Sequence, residues 1–167
     1  LAAPLFAQKV ISTAELCAAP KRAALFAPPA APDPRSDSVD IFLTEIHIDL
    51  TNFAQERLAA RTYVLFNTKI QHVRTLRLDL LGLTVDSVKW HNGPVNWTYD
   101  GQVIQVNFPQ PLDTAAAGPE AVTVWYQGQA TQDASGWGGF YWQNGYAYNL
   151  GVGFAADPHN YGRVWFP

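Results

Sequence analysis

Cysteine appears once in these 167 residues, at Cys17, and methionine not at all. A single cysteine excludes an internal disulfide framework and a cysteine-built zinc site. With no histidine near it in sequence, Cys17 reads as a buried thiol on a short helix rather than a nucleophile. Charge is scarce as well: Asp, Glu, Lys and Arg make up 15% of the chain and the net charge is −3. The basic residues form no cluster, which removes the electropositive stripe that nucleic-acid binding requires. No apolar run approaches the roughly 20 residues of a membrane-spanning helix. Also missing are His-Glu-x-x-His, any histidine pair at i and i+4, a Gly-x-Ser-x-Gly elbow and a phosphate-cradling glycine loop. Gly136-Trp-Gly-Gly139 is glycine-rich, but it lacks the strand-then-helix setting and the lysine of a P-loop. The sequence therefore offers no catalytic residue and no metal ligand set of its own.

What it does offer is apolar mass, with hydrophobic residues at 48%. That is enough for a sizeable core and excludes global disorder, and the length suits one domain plus a tail. The start, Leu1-Ala-Ala-Pro-Leu-Phe-Ala-Gln8, looks like the tail of an export signal with small residues before the cut, which predicts a periplasmic or extracellular protein. Ser12-Thr-Ala-Glu15 has capping-box spacing and predicts a short helix over residues 13–26, interrupted at Pro20. Pro28-Pro-Ala-Ala-Pro-Asp-Pro34 reads as an extended linker. Residues 1–37 are thus export remnant, short helix and linker, and residues 38–167 a β-domain.

From Val39 the apolar period becomes two. Phe42, Thr44, Ile46, Ile48 and Leu50 alternate with a more polar set, predicting a half-buried strand over 40–51. Leu58, Ala60, Thr62, Val64 and Phe66 do the same over 58–68. Further strands are expected over 73–81, 83–90, 95–99, 103–108 and 121–127, with a loop over 109–119. Asn92-Gly93 and Asp100-Gly101 stand out as hairpin turns, because a type I′ turn needs positive φ at both central positions. Seven or so strands at this spacing predict an all-β fold: an antiparallel β-sandwich or a saddle of two curved sheets.

The four histidines fit no ligand pattern. His47 and His72 fall in strand patterns as surface residues, and His91 precedes the Asn-Gly turn and is expected to be exposed. Asp79, Asp86, Asp100, Asp113 and Glu120 sit at strand ends or turns and read as solubility and turn chemistry, since acid–base work needs two carboxyls across one cleft. Asn96-Trp-Thr98 matches a glycan acceptor pattern but falls in an expected strand.

The last stretch is different. Ten of the 22 aromatic residues and seven of the 12 glycines lie between Gly136 and Pro167. Aromatics mixed with glycines predict shaped loops rather than another regular strand. The ending, Arg163-Val-Trp-Phe-Pro167, reads as a cut in a longer polypeptide, since termini are usually polar and frayed.

Three pieces in order carry a family resemblance: the strand over 40–51 with Leu76-Arg-Leu-Asp-Leu-Leu-Gly-Leu-Thr-Val-Asp-Ser-Val88, then Gly139-Phe140-Tyr141, then Arg163-x-x-Phe166-Pro167. Over about residues 38–167 the chain resembles the N-terminal β-domain of the zinc aminopeptidases related to aminopeptidase N and leukotriene hydrolase. The resemblance implies a non-catalytic domain that packs on its own C-terminal catalytic domain, lines the cleft for a peptide substrate, and leaves zinc to that second domain. The absence of methionine agrees that the family's Gly-x-Met-Glu-Asn strand is not in this chain. In the family the N-terminal domain lends one residue, a Glu or Gln in a Thr-Gln-x-Glu/Gln stretch, to hold the substrate's free amine. Here that stretch reads Gly151-Val-Gly-Phe-Ala-Ala-Asp-Pro-His-Asn160, and the acidic position falls on Pro158, one place from Asp157. Asp157 and His159 are accordingly the candidate substrate-binding residues. A carboxylate on this loop could pair with an ammonium; the alternative is that Asp157 caps the turn and His159 packs on an aromatic ring. Two other functions suit the same composition: a carbohydrate-binding β-sandwich with exposed Trp and Tyr, and a structural interaction module.

Overall fold

A computed structural model of the chain describes residues 34–113, 118–156 and 159–167. All of them lie in the unit Asp33–Pro167. The expected N-terminal helix and most of the proline linker lie outside the described residues.

The fold is an antiparallel all-β sandwich. Its strands are β1 (Val39–Asp49), β2 (Leu58–Thr68), β3 (Val73–Asp79), β4 (Thr84–Trp90), β5 (Gly93–Pro94), β6 (Asn96–Tyr99), β7 (Val103–Leu112), β8 (Glu120–Gly128), β9 (Gly138–Gln143) and β10 (Tyr146–Gly153). One sheet runs β1-β2-β8-β4-β5, a second runs β3-β7-β6, and β9 and β10 form a separate pair. The alternation over 58–68 sets the inner face as expected: Leu58, Ala60, Thr62, Val64 and Phe66 are all buried. Val122, Val124 and Tyr126 of β8 continue that face, and Leu76, Leu78, Ile104, Val106 and Phe108 close it from the second sheet. The sheets meet through rings, Phe66 and Phe108 having centroids 6.1 Å apart and Trp90 and Phe108 5.5 Å. Each large side chain so buried stabilises by about 1.5–3 kcal/mol.

Several expectations need correction. β1 exists, but its first half is not half-buried: Ile41, Phe42 and Leu43 are all exposed. β1 is the sheet's edge, and a bulge between Ile41 and Leu43 breaks the alternation there. The loop expected over 109–119 starts later, since β7 runs through Pro109 and Pro111 to Leu112. Its neighbour β6 pairs only as far as Asn107, so the prolines sit where a ladder donor is not needed on that side.

The first hairpin turn is displaced by one residue. Trp90 pairs with Gly93, and the positive φ values belong to His91 (45°) and Asn92 (65°). Gly93 is outside the left-handed region. After β5 the chain crosses to the other sheet, so β4 and β6 are not sheet neighbours. The second turn, unlike the first, does not have positive φ at two successive positions: Gly101 alone has it, 91°. Asp100 closes it, its Oδ1 accepting from Gln102 N at 2.8 Å and Val103 N at 2.7 Å. The C-terminal stretch expected as loops contains a regular hairpin. Asn144 (φ 54°) and Gly145 (φ 81°) make its turn between paired Gln143 and Tyr146, which is the geometry an Asn-Gly type I′ turn demands.

Candidate functional site

The β9–β10 hairpin has two unlike faces. Phe140, Trp142 and Ala147 pack toward the core, with the Trp142 ring edge-on to Phe53 at 5.2 Å. Tyr146, Tyr148 and Leu150 alternate onto the other face, continued by Val152 and Phe154, and with neighbouring Trp137 these six are between 40% and 72% exposed. Tyr148 stacks on Tyr141, ring centroids 5.0 Å apart and planes 8° from parallel. An exposed apolar strip of this kind, rather than single scattered residues, marks an interaction surface.

Two glycines allow close backbone approach, Gly138 to the end of β10 and Gly139 to the preceding loop. A Cβ at Gly138 would fall 1.8 Å from Val152 O, and one at Gly139 2.4 Å from Thr131 O. Both positions also have positive φ, so glycine is required for two reasons. The close approach lets Phe140 N donate to Thr131 O at 3.0 Å and Asp133 N to Gly138 O at 3.0 Å.

Asp133, only 5% exposed, ties this loop to the end of the hairpin. Its Oδ2 accepts from Ser135 N and Ala155 N, each at 3.0 Å, and from the Ser135 hydroxyl. Desolvation is the largest single influence and pushes the carboxyl up. The hydrogen bonds from Ser135 and from the Ala155 and Ala156 backbone together outweigh it and hold Asp133 below the usual carboxylate range. A Cβ at Gly153 would lie 2.7 Å from Asp133 Oδ1 and 3.0 Å from the Tyr161 ring. One carboxylate thereby fastens residues 133–135 to the backbone just past β10.

His159 is clamped back onto β10. Gly153 N donates to His159 O at 3.0 Å, and His159 Nδ1 lies 3.1 Å from Gly153 O. A carbonyl only accepts, so Nδ1 is the donor in this contact. The bridge Val152–Asn160 and Tyr161 N to Gly151 O at 3.2 Å extend the clamp. The final 3₁₀ turn, Gly162–Val164, is tied down by Leu81 N donating to Arg163 O at 2.7 Å. Beyond it, Tyr126 OH donates to Trp165 O at 3.0 Å and accepts from Thr62 Oγ1 at 2.9 Å. Burial pushes the Tyr126 phenol up to about 12, against the Thr62 hydrogen bond that lowers it.

Of the two sequence-derived site residues, Asp157 lies outside the described residues. His159 is exposed and touches the Gly153 backbone, not an aromatic ring. Nothing in the sequence singles out Asp133. Its partners stand at 135 and 155, and only the Asp-x-Ser spacing hints at a local turn. Glu120 is also more than turn chemistry: it is buried and accepts from Trp90 Nε1 at 2.7 Å, with His91 Nε2 at 2.6 Å. His91 is exposed, but within the turn rather than before it. His72 sits in a left-handed turn ahead of β3, its N–H donating to Asp113 at 2.8 Å. Among the described residues no three His, Cys, Asp or Glu side chains come together. His47 pairs with Glu45, His72 with Asp113 and His91 with Glu120.

No protein-family model matches the chain, and no curated protein does. Solved structures do. A two-domain M1 zinc metallopeptidase bound to L-arginine superposes with a TM-score of 0.65 at 20% identity, over 78% of this chain and 29% of that one. The chain shares the fold of a portion of that protein. The Deinococcus radiodurans M1 zinc metallopeptidase bound to a Tyr-Ser-Ala substrate gives 0.64 at 21% identity, over the same shares of the two chains. Leukotriene A4 hydrolase from Saccharomyces cerevisiae gives 0.57 at 11% identity, covering 89% of this chain and 24% of that one. At such identities the likeness is one of fold. The chain spans less than a third of the length of these three proteins.

Proposed function

We propose that residues 38–167 are the non-catalytic N-terminal β-domain of a zinc metallo-aminopeptidase, packing on a catalytic domain and lining its substrate cleft. The observation that carries this reading is the coverage: most of this chain matches a portion, 29%, of a two-domain M1 zinc metallopeptidase. The exposed strip along β10 supports it, since a packing face is what such a domain requires. In this reading residues 1–37 are export remnant, short helix and linker, the protein works in the periplasm or outside the cell, and zinc belongs to the catalytic domain. Asp157, which follows the backbone held by Asp133 and precedes the clamped His159, holds the ammonium of a peptide substrate, with His159 beside it.

Reading the coding frame beyond Pro167 tests the proposal: it requires a His-Glu-x-x-His in the same polypeptide, and a frame without one sinks it. The exposed rings of Trp137 and Tyr146 give a second reading, a carbohydrate-binding module, for which stacking faces are the usual device. Saturable binding of an oligosaccharide, lost on Tyr146→Ala, would favour that reading instead.

A further inference from the structure

The edges of these sheets are protected unequally. An edge strand offers unpaired N–H and C=O groups to any extended chain, and charges, prolines and bulges blunt the offer. β1 carries Asp40, Glu45 and Asp49 and a bulge between Ile41 and Leu43. β3 carries Arg74, Arg77 and Asp79 and a bulge between Val73 and Thr75. β5 is a two-residue strand ending in Pro94, and β6 is four residues long. From Tyr146 to Leu150, β10 has no charged residue, no proline and no shift of register.

The turn fixes which groups of β10 point outward. Gln143 and Tyr146 flank a two-residue turn and therefore form a hydrogen-bonded pair, as do Tyr141 with Tyr148 and Gly139 with Leu150. Ala147 and Asn149 accordingly aim their N–H and C=O groups away from β9. Two bonds agree with this phase. Phe140, opposite Asn149, donates away from β10 to Thr131 O at 3.0 Å, and Gly151 O accepts from Tyr161 N at 3.2 Å. The second bond shows that this edge already takes a strand. Residues 159–161 run antiparallel along it, with the Val152–Asn160 bridge and Gly153 N donating to His159 O at 3.0 Å. The chain then enters the 3₁₀ turn Gly162–Val164. Among the described residues, Ala147 and Asn149 are left with β9 on one side and no strand on the other.

We propose that an extended peptide adds to this open edge of β10 as a strand, its backbone bonded to Ala147 and Asn149. A donor and an acceptor on each of two alternate residues is the pattern that a second strand matches, and the uncharged edge offers nothing to an ion. Side chains on one face of the peptide lie along Tyr146 and Tyr148, which are exposed. The inference rests on the reading of this chain as a cleft-lining domain for the choice of a peptide as ligand. The 167-residue chain alone suffices to test it, so its failure is distinct from the absence of a His-Glu-x-x-His beyond Pro167.

The probe is acetyl-Lys-Thr-Val-Thr-Val-Thr-Lys-amide, added at about 10 mM, with amide exchange of the chain as readout. Two donors and two acceptors at an exposed edge predict a Kd of about 1 mM. The amides of Ala147 and Asn149 should then exchange about tenfold more slowly, while the edge amides of β1 are unchanged. The same peptide N-methylated at both valines keeps one unmodified edge and is expected to protect equally well. Methylation of all five central residues removes both edges and is expected to abolish protection. Proline is tolerated at an edge position whose N–H faces outward, so Ala147→Pro is expected to fold and to weaken binding at least about tenfold. The methylated peptides keep the test decisive if that variant does not fold. Protection by the fully methylated peptide, none by the valine-methylated one, or equal slowing along β1 would overturn the proposal. So would slowing that tracks protein concentration without peptide, which would assign the edge to a second copy of the chain.

Discussion

Asp133→Asn isolates the group on which the candidate loop depends. The substitution keeps the side chain's shape and removes its charge. Two backbone donors, Ser135 N and Ala155 N, and the Ser135 hydroxyl all converge on Oδ2. Hydrogen bonds to a charged group contribute about 1.5–3 kcal/mol net, and neutral ones about 1 kcal/mol less. Ser135 and Ala155 are exposed, so water replaces part of what is lost, and the expected cost is about 2 kcal/mol. For a domain of this size that is a Tm lower by about 8 °C. The pH dependence gives the sharper test. The folded pKa of Asp133 is depressed, so its contribution is fully present above the unfolded value and is lost as pH falls through the folded one. Scanning calorimetry of the two proteins should therefore show the full gap at about pH 6 and a narrowing gap below about pH 4. Amide exchange at Ala155 should accelerate in the variant. Equal Tm values near neutrality, or a gap that widens on acidification, would refute the assignment of Asp133 as the fastening of the loop.

Gly101→Val is expected to lower stability by about 1 kcal/mol or more, because φ is 91° there and a β-branched residue resists positive φ. Gly93→Val should cost less when both variants are compared by urea titration, since Gly93 is outside the left-handed region and its Cβ would meet Trp90 O at 3.4 Å. Tyr126 keeps its proton up to about pH 12 while an unfolded tyrosine releases it near pH 10, so stability should be flat below that value and fall by roughly 2–3 kcal/mol as pH rises to about 12. Tyr126→Phe should remove most of that slope; an unchanged alkaline profile would contradict the buried, proton-retaining phenol. In a full-length aminopeptidase, Asp157→Asn should lower kcat/KM for free-amine peptides about tenfold or more, as loss of one member of a charge pair does. Normal kinetics with a lowered Tm would leave Asp157 as a turn cap.

The strands that face the core are legible because the core imposes their period. Leu58, Ala60, Thr62, Val64 and Phe66 alternate without exception and are all buried. β1 carries a similar alternation, yet at a sheet edge with a bulge the same pattern buries little. Turn dipeptides locate hairpins but not their register. His91 and Asn92 take the left-handed positions although glycine stands one place later, because the Trp90–Gly93 pairing fixes which two residues are left over. Asn144-Gly145 carries the same signal as Asn92-Gly93 and is obscured by the surrounding glycines, which serve close approach rather than loop freedom. At the candidate site, the Gly139-Phe140-Tyr141 and Arg163-x-x-Phe166-Pro167 motifs bracket the hairpin and the segment clamped to its end. Asp133 stays hidden because its partners are assembled by the hairpin across 22 residues of sequence.

Hydrogen exchange along β10 addresses the central proposal most directly, comparing the 167-residue chain with the full natural polypeptide from the same coding frame. The amides of Tyr146, Tyr148 and Leu150 belong to a hairpin whose aromatic face is open to solvent. If a catalytic domain packs there, these amides should exchange at least about tenfold more slowly in the full polypeptide, while the β2 and β8 core amides stay within about twofold. Exchange along β10 that is the same in both proteins would contradict the account.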